Sequence, residues 1–137
     1  MGHARQVSGE RREILVVDDE PAVRLLLSEF LEDEGYRVVT VADGMEALER
    51  FRRGERPCFM LLDLVMPRLN GWELAHRLRA DPKLEPVPFA VIASNPGARA
   101  DGDGMGAAEW LGKPIDLDLL LQTLDEHCGS VRRARCG

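Results

Sequence analysis

The chain has 137 residues, and 24 acidic against 18 basic side chains leave a net charge of −6. That length predicts a single domain, and an apolar fraction of 45% excludes disorder throughout. The acidic balance argues against nonspecific nucleic-acid binding, and no apolar run approaches the roughly 20 residues of a membrane helix.

Residues 1–12 (MGHARQVSGERR) are polar, without the apolar block of a secretory signal, and are expected to form a flexible arm. Ile14 to Val17 is an apolar run, the mark of a strand buried on both faces. Pro21 suits the first turn of a helix, and Val23, Leu26, Leu27, Phe30 and Leu31 follow at the spacing of one helical face. Gly35 is placed to end it. Arg37 to Val41 is β-branched and predicts a second strand. Asp43 can N-cap a helix that carries Ala47, Leu48 and Phe51 and ends near Gly54.

Phe59 to Leu62 predicts a third strand. Gly71 to Ala80 reads as a helix with Leu74, Ala75 and Leu78 inward, stopping before Asp81 and Pro82. Phe89 to Ile92 predicts a fourth strand, and Glu109 to Leu111 a short fifth. Asp116 then caps a last helix whose inner face is Leu117, Leu120, Leu121 and Leu124. One segment breaks the rhythm. A helix belongs between strands four and five, yet Asn95 to Gly106 contains Pro96 and glycines at 97, 102, 104 and 106. Each interior glycine costs about 1 kcal/mol of helix stability relative to alanine, so this helix is expected to be short or disordered. Residues 129–137 form a basic tail, leaving 13–128 as the domain.

Five βα units with unbroken apolar strands imply an α/β fold with a parallel sheet covered on both faces. Ligands of such sheets bind at the carboxyl ends of the strands. Asp18, Asp19 and Glu20 follow strand one. Asp63 follows strand three, Ala93, Ser94 and Asn95 follow strand four, and Lys113 and Pro114 follow strand five. Three ionised carboxylates gathered there would repel, at about 4 kcal/mol for a pair 4 Å apart at an effective dielectric near 20. Either protons or a cation must relieve that repulsion. Mg²⁺ accepts such oxygens, and a strand-end carboxylate beside it can act as nucleophile toward phosphorus.

These residues carry a resemblance. VVDDEP (16–21), ADG (42–44), LLDLVMPRLNG (61–71) and GAAEWLGKP (106–114), in that order, resemble the receiver domain of two-component response regulators. The resemblance implies the flavodoxin-like (βα)5 fold with strand order 2-1-3-4-5. It implies Asp63 as phosphoacceptor, and Mg²⁺ held by Asp19, Asp63 and the backbone carbonyl of Val65, with Asp18 acting directly or through water. Lys113 would contact the phosphoryl group, and the Lys113–Pro114 peptide would be cis. Pro67 and Gly71 would shape the loop after strand three, and Trp110 would stand at the family's switch aromatic. The implied partner is a histidine kinase or a histidine phosphotransfer protein, with a downstream protein target and no direct DNA or membrane binding; oligomeric state is left open. Where the family places Thr or Ser after strand four, counting from Pro88 gives Ala93, and one residue of slack gives Ser94.

Each feature also has a blander reading. An Asp-Asp pair after a strand is commonly a solvated turn, but Asp63 and Lys113 at further strand ends favour an acidic pocket. Asp43 reads as a helix cap, and Trp110 as a partly buried core edge as readily as a switch. His3, His76 and His127 have no metal-like or triad-like partner. Asp101-Gly-Asp-Gly fails as a calcium loop, because position twelve is Gly112. The three cysteines, Cys58, Cys128 and Cys136, are too few and too irregularly spaced for a disulfide framework or a zinc site, which favours a reducing cytoplasm.

Three functions compete. The first is a stand-alone phosphoacceptor that is no enzyme beyond its own phosphorylation and dephosphorylation. The second is a phosphorylation-independent interaction module of the same fold, motivated by Ala93 and the glycine-rich segment. A phosphohydrolase of the haloacid-dehalogenase type would need Asp-x-Asp after the first strand, and here the pair is adjacent.

Overall fold

The computed structural model describes residues 12–66, 68–84, 87–94 and 106–129. The N-terminal arm, Pro67, the helix expected after strand four and the basic tail from 130 onward lie outside the described residues. The elements in chain order are β1 (Glu13–Val17), α1 (Pro21–Asp33), β2 (Arg37–Val41), α2 (Gly44–Arg52), β3 (Phe59–Asp63), α3 (Gly71–Ala80), β4 (Phe89–Ala93), β5 (Glu109–Gly112) and α4 (Leu117–Cys128). The strands form one parallel sheet in the order β2-β1-β3-β4-β5.

The sheet divides the core in two. Leu15, Val17, Met60, Leu62, Phe89 and Val91 point to one face, packed with residues of α2 and α3. Ile14, Val16, Phe59, Leu61, Ala90 and Ile92 point to the other, packed with Leu27 and Leu31 of α1 and Leu120, Leu121 and Leu124 of α4. This period-two division explains the apolar runs: a strand covered on both faces has no polar side to display. All five residues of β3 are buried, including Asp63 at its end. β2, at the edge of the sheet, is the least covered strand.

Local chemistry sets the helix starts. Pro21 occupies the first turn of α1. Asp43 accepts from Glu46 N at 2.9 Å, and Asp116 from Leu119 N at 3.1 Å, so both act as the caps expected of them. Asn70 and Glu73 form a reciprocal capping box at α3.

Two expectations are corrected. Leu26 was placed on the inner face of α1 but is 49% exposed, beside Leu25 at 60%. The buried stripe runs along Val23, Leu27 and Leu31, and Leu26 stands about 100° around the helix from Leu27. The cysteines do not all stand apart either: Cys58 and Cys128 are joined by a disulfide, their Cα atoms 5.9 Å apart across 70 residues of sequence. Parallel topology brings the start of β3 and the end of α4 to the same edge of the sheet.

Candidate functional site

Register aligns the strand ends. Val17 pairs with Leu62, Asp63 with Ile92, and Ala93 with Gly112. The residues that follow β1 and β5 therefore meet the end of β3 at one rim. Asp18, Asp19 and Asp63 each offer a carboxylate oxygen within 4.8 Å of the others. Lys113 Nζ lies 3.8 Å from Asp63 Oδ2, 3.9 Å from Asp18 Oδ2 and 2.8 Å from Glu20 Oε1. The four residues singled out in the sequence thus come together. The Lys113–Pro114 peptide is cis.

The carboxylates differ in setting. Asp18 is fully buried and Asp63 nearly so, whereas Asp19 is exposed. Asp18 Oδ1 accepts from Glu20 N at 2.9 Å, and Arg24 reaches its backbone carbonyl at 2.7 Å. Asp63 Oδ1 accepts from Val65 N at 3.2 Å. Burial is the main force on both acids. It pushes Asp63 up to about 7, with the neighbouring Asp18 charge adding to the rise and Lys113 opposing it. Burial likewise raises Asp18, against the Glu20 N–H and Lys113. Burial disfavours the Lys113 cation, but the Glu20 hydrogen bond and the charges of Asp63 and Asp18 outweigh it and raise the ammonium pKa.

A hard divalent cation fits this donor set. Asp18 Oδ2 is buried without a hydrogen-bond partner among the described residues. An orphaned anionic oxygen is costly to bury, and a cation shared with Asp19 and Asp63 would satisfy it. Oxygen-only ligands from carboxylates match Mg²⁺ rather than a thiophilic metal.

Other expected residues are placed less centrally. Ala93 is the last residue of β4, one step beyond the partner of Asp63, and Ser94 is exposed one residue further. Register keeps Ala93 in the sheet, opposite Gly112, and makes Ser94 the first residue after the strand. Trp110 lies half-buried on β5, with its ring centroid 6.4 Å from that of Trp72 at the start of α3. Val65, two residues after Asp63, is 77% exposed.

Two contacts went unread in the sequence. Among the described residues Glu20 is the carboxylate nearest Lys113, although the sequence marks it only as a third acid after β1. Arg68, at φ 66°, forms an ion pair with Asp43, tying the loop after β3 to the start of α2. Burial works against ionisation of Asp43, but the Glu46 N–H and Arg68 together hold its carboxyl below the ordinary range.

Comparison with known proteins decides the family: the description "Response regulator receiver domain" matches residues 14–125. The chain belongs to the response regulator receiver family. This receiver is 32% identical over 114 residues to Protein PilH of Pseudomonas aeruginosa, covering 82% of this chain and 93% of that one. It is 40% identical over 108 residues to the response regulator MprA of Mycobacterium leprae, covering 79% of this chain and 47% of that protein. It spans 43% of a probable transcriptional regulator, ycf27, of Porphyridium aerugineum, at 37% identity over 77% of this chain. The chain thus covers about half the length of some curated relatives and nearly all of another.

Among solved structures, it resembles the response regulator TrrA of Thermotoga maritima, in complex with Mg²⁺ and BeF, at TM-score 0.74 and 34% identity over 84% of this chain and 97% of that one. It also resembles the receiver domain of a Pseudomonas aeruginosa sensor histidine kinase with a magnesium ion coordinated in its active-site cleft. There the TM-score is 0.77 and the identity 31%, over 87% of this chain and 98% of that one. The flavodoxin-like receiver fold is shared with chemotaxis protein CheY4 of Vibrio cholerae, at TM-score 0.73 and 32% identity over 84% of this chain and 97% of that one.

Proposed function

We propose that this receiver accepts a phosphoryl group on Asp63 from a phosphohistidine carried by a histidine kinase or a phosphotransfer protein. The observation that carries the reading is the setting of Asp63. It lies buried at the end of the central strand, 3.8 Å from Lys113, with oxygens of Asp18 and Asp19 within 4.8 Å. An ionised oxygen of Asp63 attacks phosphorus, the phosphorus–nitrogen bond breaks, and the leaving imidazole nitrogen takes a proton. An acyl phosphate remains on Asp63. With its pKa near 7, the carboxyl is a ready nucleophile only in its ionised fraction. Lys113 faces Asp63 Oδ2 and would pair with the phosphoryl oxygens once they stand there.

Asp18, Asp19, Asp63 and the carbonyl of Val65 would hold Mg²⁺. When bound, the ion supplies positive charge against the carboxylates and the phosphoryl oxygens. On this reading the protein catalyses only its own phosphorylation and dephosphorylation, and its output is an altered contact with another protein. A cytoplasmic setting belongs to the same proposal; no helix among the described residues is long and apolar enough to cross a membrane.

The test is phosphorylation of the whole chain by acetyl phosphate with Mg²⁺. Intact mass should rise by one phosphoryl group, mapped to Asp63, and Asp63→Asn should show no rise. An undiminished rise in Asp63→Asn would refute the assignment.

One observation supports a second reading, a phosphorylation-independent interaction module. Ala93 is the last residue of β4, and if it rather than Ser94 holds the family's Thr or Ser position, a methyl stands where a hydroxyl would bond the phosphoryl oxygen. Under that reading, beryllofluoride leaves the amide resonances of 93 and 106–112 unmoved. Under the first, these resonances shift, with Trp110 or Ser94 among the responding residues.

A further inference from the structure

A second chemical feature lies at the opposite edge of the sheet from the acidic site. Cys58 immediately precedes β3, and Cys128 is the last residue of α4. They are disulfide-bonded with a Cα separation of 5.9 Å, within the span such bridges occupy. Cys58 N donates to Glu13 O at 2.8 Å, anchoring that side of the bridge to β1. Alongside it, the ring of His127 lies 5.2 Å from that of Phe59. Gly129, at φ 77°, ends the helix directly after Cys128. Cys58 and Asp63 stand at opposite ends of the strand, roughly 16 Å apart at about 3.3 Å per residue.

The last helix has an apolar anchor besides this bridge. Leu120 and Leu124 of α4 are fully buried in the core shared with α1, β1 and β3. That packing is independent of the sulfurs, whose bond adds a constraint at the last turn of α4. Both cysteines are half-buried, which leaves the bridge open to attack by a small thiol. A disulfide that a small thiol can reach exchanges more readily than one sealed in the core.

We propose that Cys58 and Cys128 form a reversible thiol–disulfide site, oxidised by low-molecular-weight disulfides, that fixes the last turn of α4 to the start of β3. The oxidation is two exchanges. One cysteine thiolate attacks the small disulfide, forming a mixed disulfide and releasing one small thiolate. The second cysteine thiolate then attacks the protein sulfur of that mixed disulfide, closing the Cys58–Cys128 bond and releasing the other small thiolate. Two protein thiols become one disulfide, the small disulfide becomes two thiols, and excess thiol reverses both steps. The site is independent of whether Asp63 is phosphorylated.

The experiment is a redox titration of the full chain in millimolar mixtures of reduced and oxidised glutathione, quenched by acid and followed by alkylation and peptide mass mapping. We expect conversion between two alkylated cysteine peptides and one unalkylated, disulfide-linked Cys58–Cys128 peptide pair, with a midpoint inside that range of mixtures. We also expect amide exchange at 125–129 to slow severalfold on oxidation, while exchange in β3 is unchanged. A pair that stays bonded in reduced glutathione alone overturns the proposal, as does one that stays open in oxidised glutathione alone. Preferential bonding of either cysteine to Cys136 overturns it too, as does oxidation that leaves exchange at 125–129 unaltered. Cys58→Ser should abolish the mapped pair and keep acetyl phosphate labelling at the wild-type level.

Discussion

Lys113 Nζ is hydrogen-bonded to Glu20 Oε1 at 2.8 Å, a full ångström closer than it stands to Asp63. The ammonium is thus shared between a half-exposed glutamate and the buried pair of aspartates. Glu20 is free for this contact because α1 begins at Pro21 with no side-chain cap from residue 20. In Glu20→Gln the competing charge is gone, and Lys113 should move toward Asp63. Its closer charge favours the ionised carboxylate. The Asp63 titration midpoint, read by carboxyl carbon NMR without metal, should therefore fall below about 7. An unmoved or raised midpoint contradicts the sharing.

Asp63 also makes metal-free stability depend on pH. Its folded-state pKa is raised from 3.8 to about 7, so the folded chain holds a proton that the unfolded chain has released. Stability from this group is fully present below about pH 4 and is lost as pH rises through about 7. The loss is on the order of a few kcal/mol, shared with Asp18, whose pKa is raised in the same direction. Asp63→Asn should be more stable than wild type at pH 7 without metal, and its stability should vary less between pH 4 and 7. Urea unfolding at a series of pH values, in chelator, measures both.

Mg²⁺ should offset part of that penalty. At a free concentration ten times its dissociation constant, a ligand of the folded state alone stabilises by about 1.4 kcal/mol. Asp18 Oδ2, buried with no hydrogen-bond partner among the described residues and only Lys113 at 3.9 Å, marks this residue as the member the cation most relieves. Asp18→Asn should lower Mg²⁺ affinity at least tenfold, because a neutral amide replaces a buried anionic ligand. Calorimetric titration checks this, and an affinity within twofold of wild type would discard the donor set.

How far the sequence discloses this arrangement depends on the range of the interaction. Asp18, Asp63 and Lys113 each stand at or just past the end of an apolar strand, and parallel order alone carries such positions to one rim. The caps at Asp43 and Asp116 were legible because their partners lie three residues ahead. Arg68 was not, since its partner Asp43 is 25 residues away and the contact needs a left-handed turn at 68. Leu26 misled because leucine periodicity marks an apolar stripe wider than the surface the sheet covers. The Cys58–Cys128 bridge has no local signal at all. It becomes visible only when β3 and α4 have been placed in space.

The close approach of α3 to the end of β3 yields a last prediction. A Cβ added at Gly71 would lie 2.6 Å from the backbone carbonyl oxygen of Asp63 and 3.0 Å from Leu64 Cα. Both neighbours are main chain, pinned by the bonds from Gly71 N to Leu64 O and from Leu64 N to Ile92 O. No side-chain rotation can make room, so α3 must retreat or the backbone bearing Asp63 must shift. Overpacking of this kind costs about 1–3 kcal/mol. Because the displaced atoms carry the proposed phosphoacceptor, Gly71→Ala should lose both stability and Mg²⁺ affinity. At Gly112 an added Cβ meets nothing within 4 Å, so Gly112→Ala serves as the control. Denaturant unfolding and Mg²⁺ titration of the two variants side by side test the point. A Gly71→Ala protein as stable as the control, with unchanged Mg²⁺ binding, would show that α3 does not brace the site.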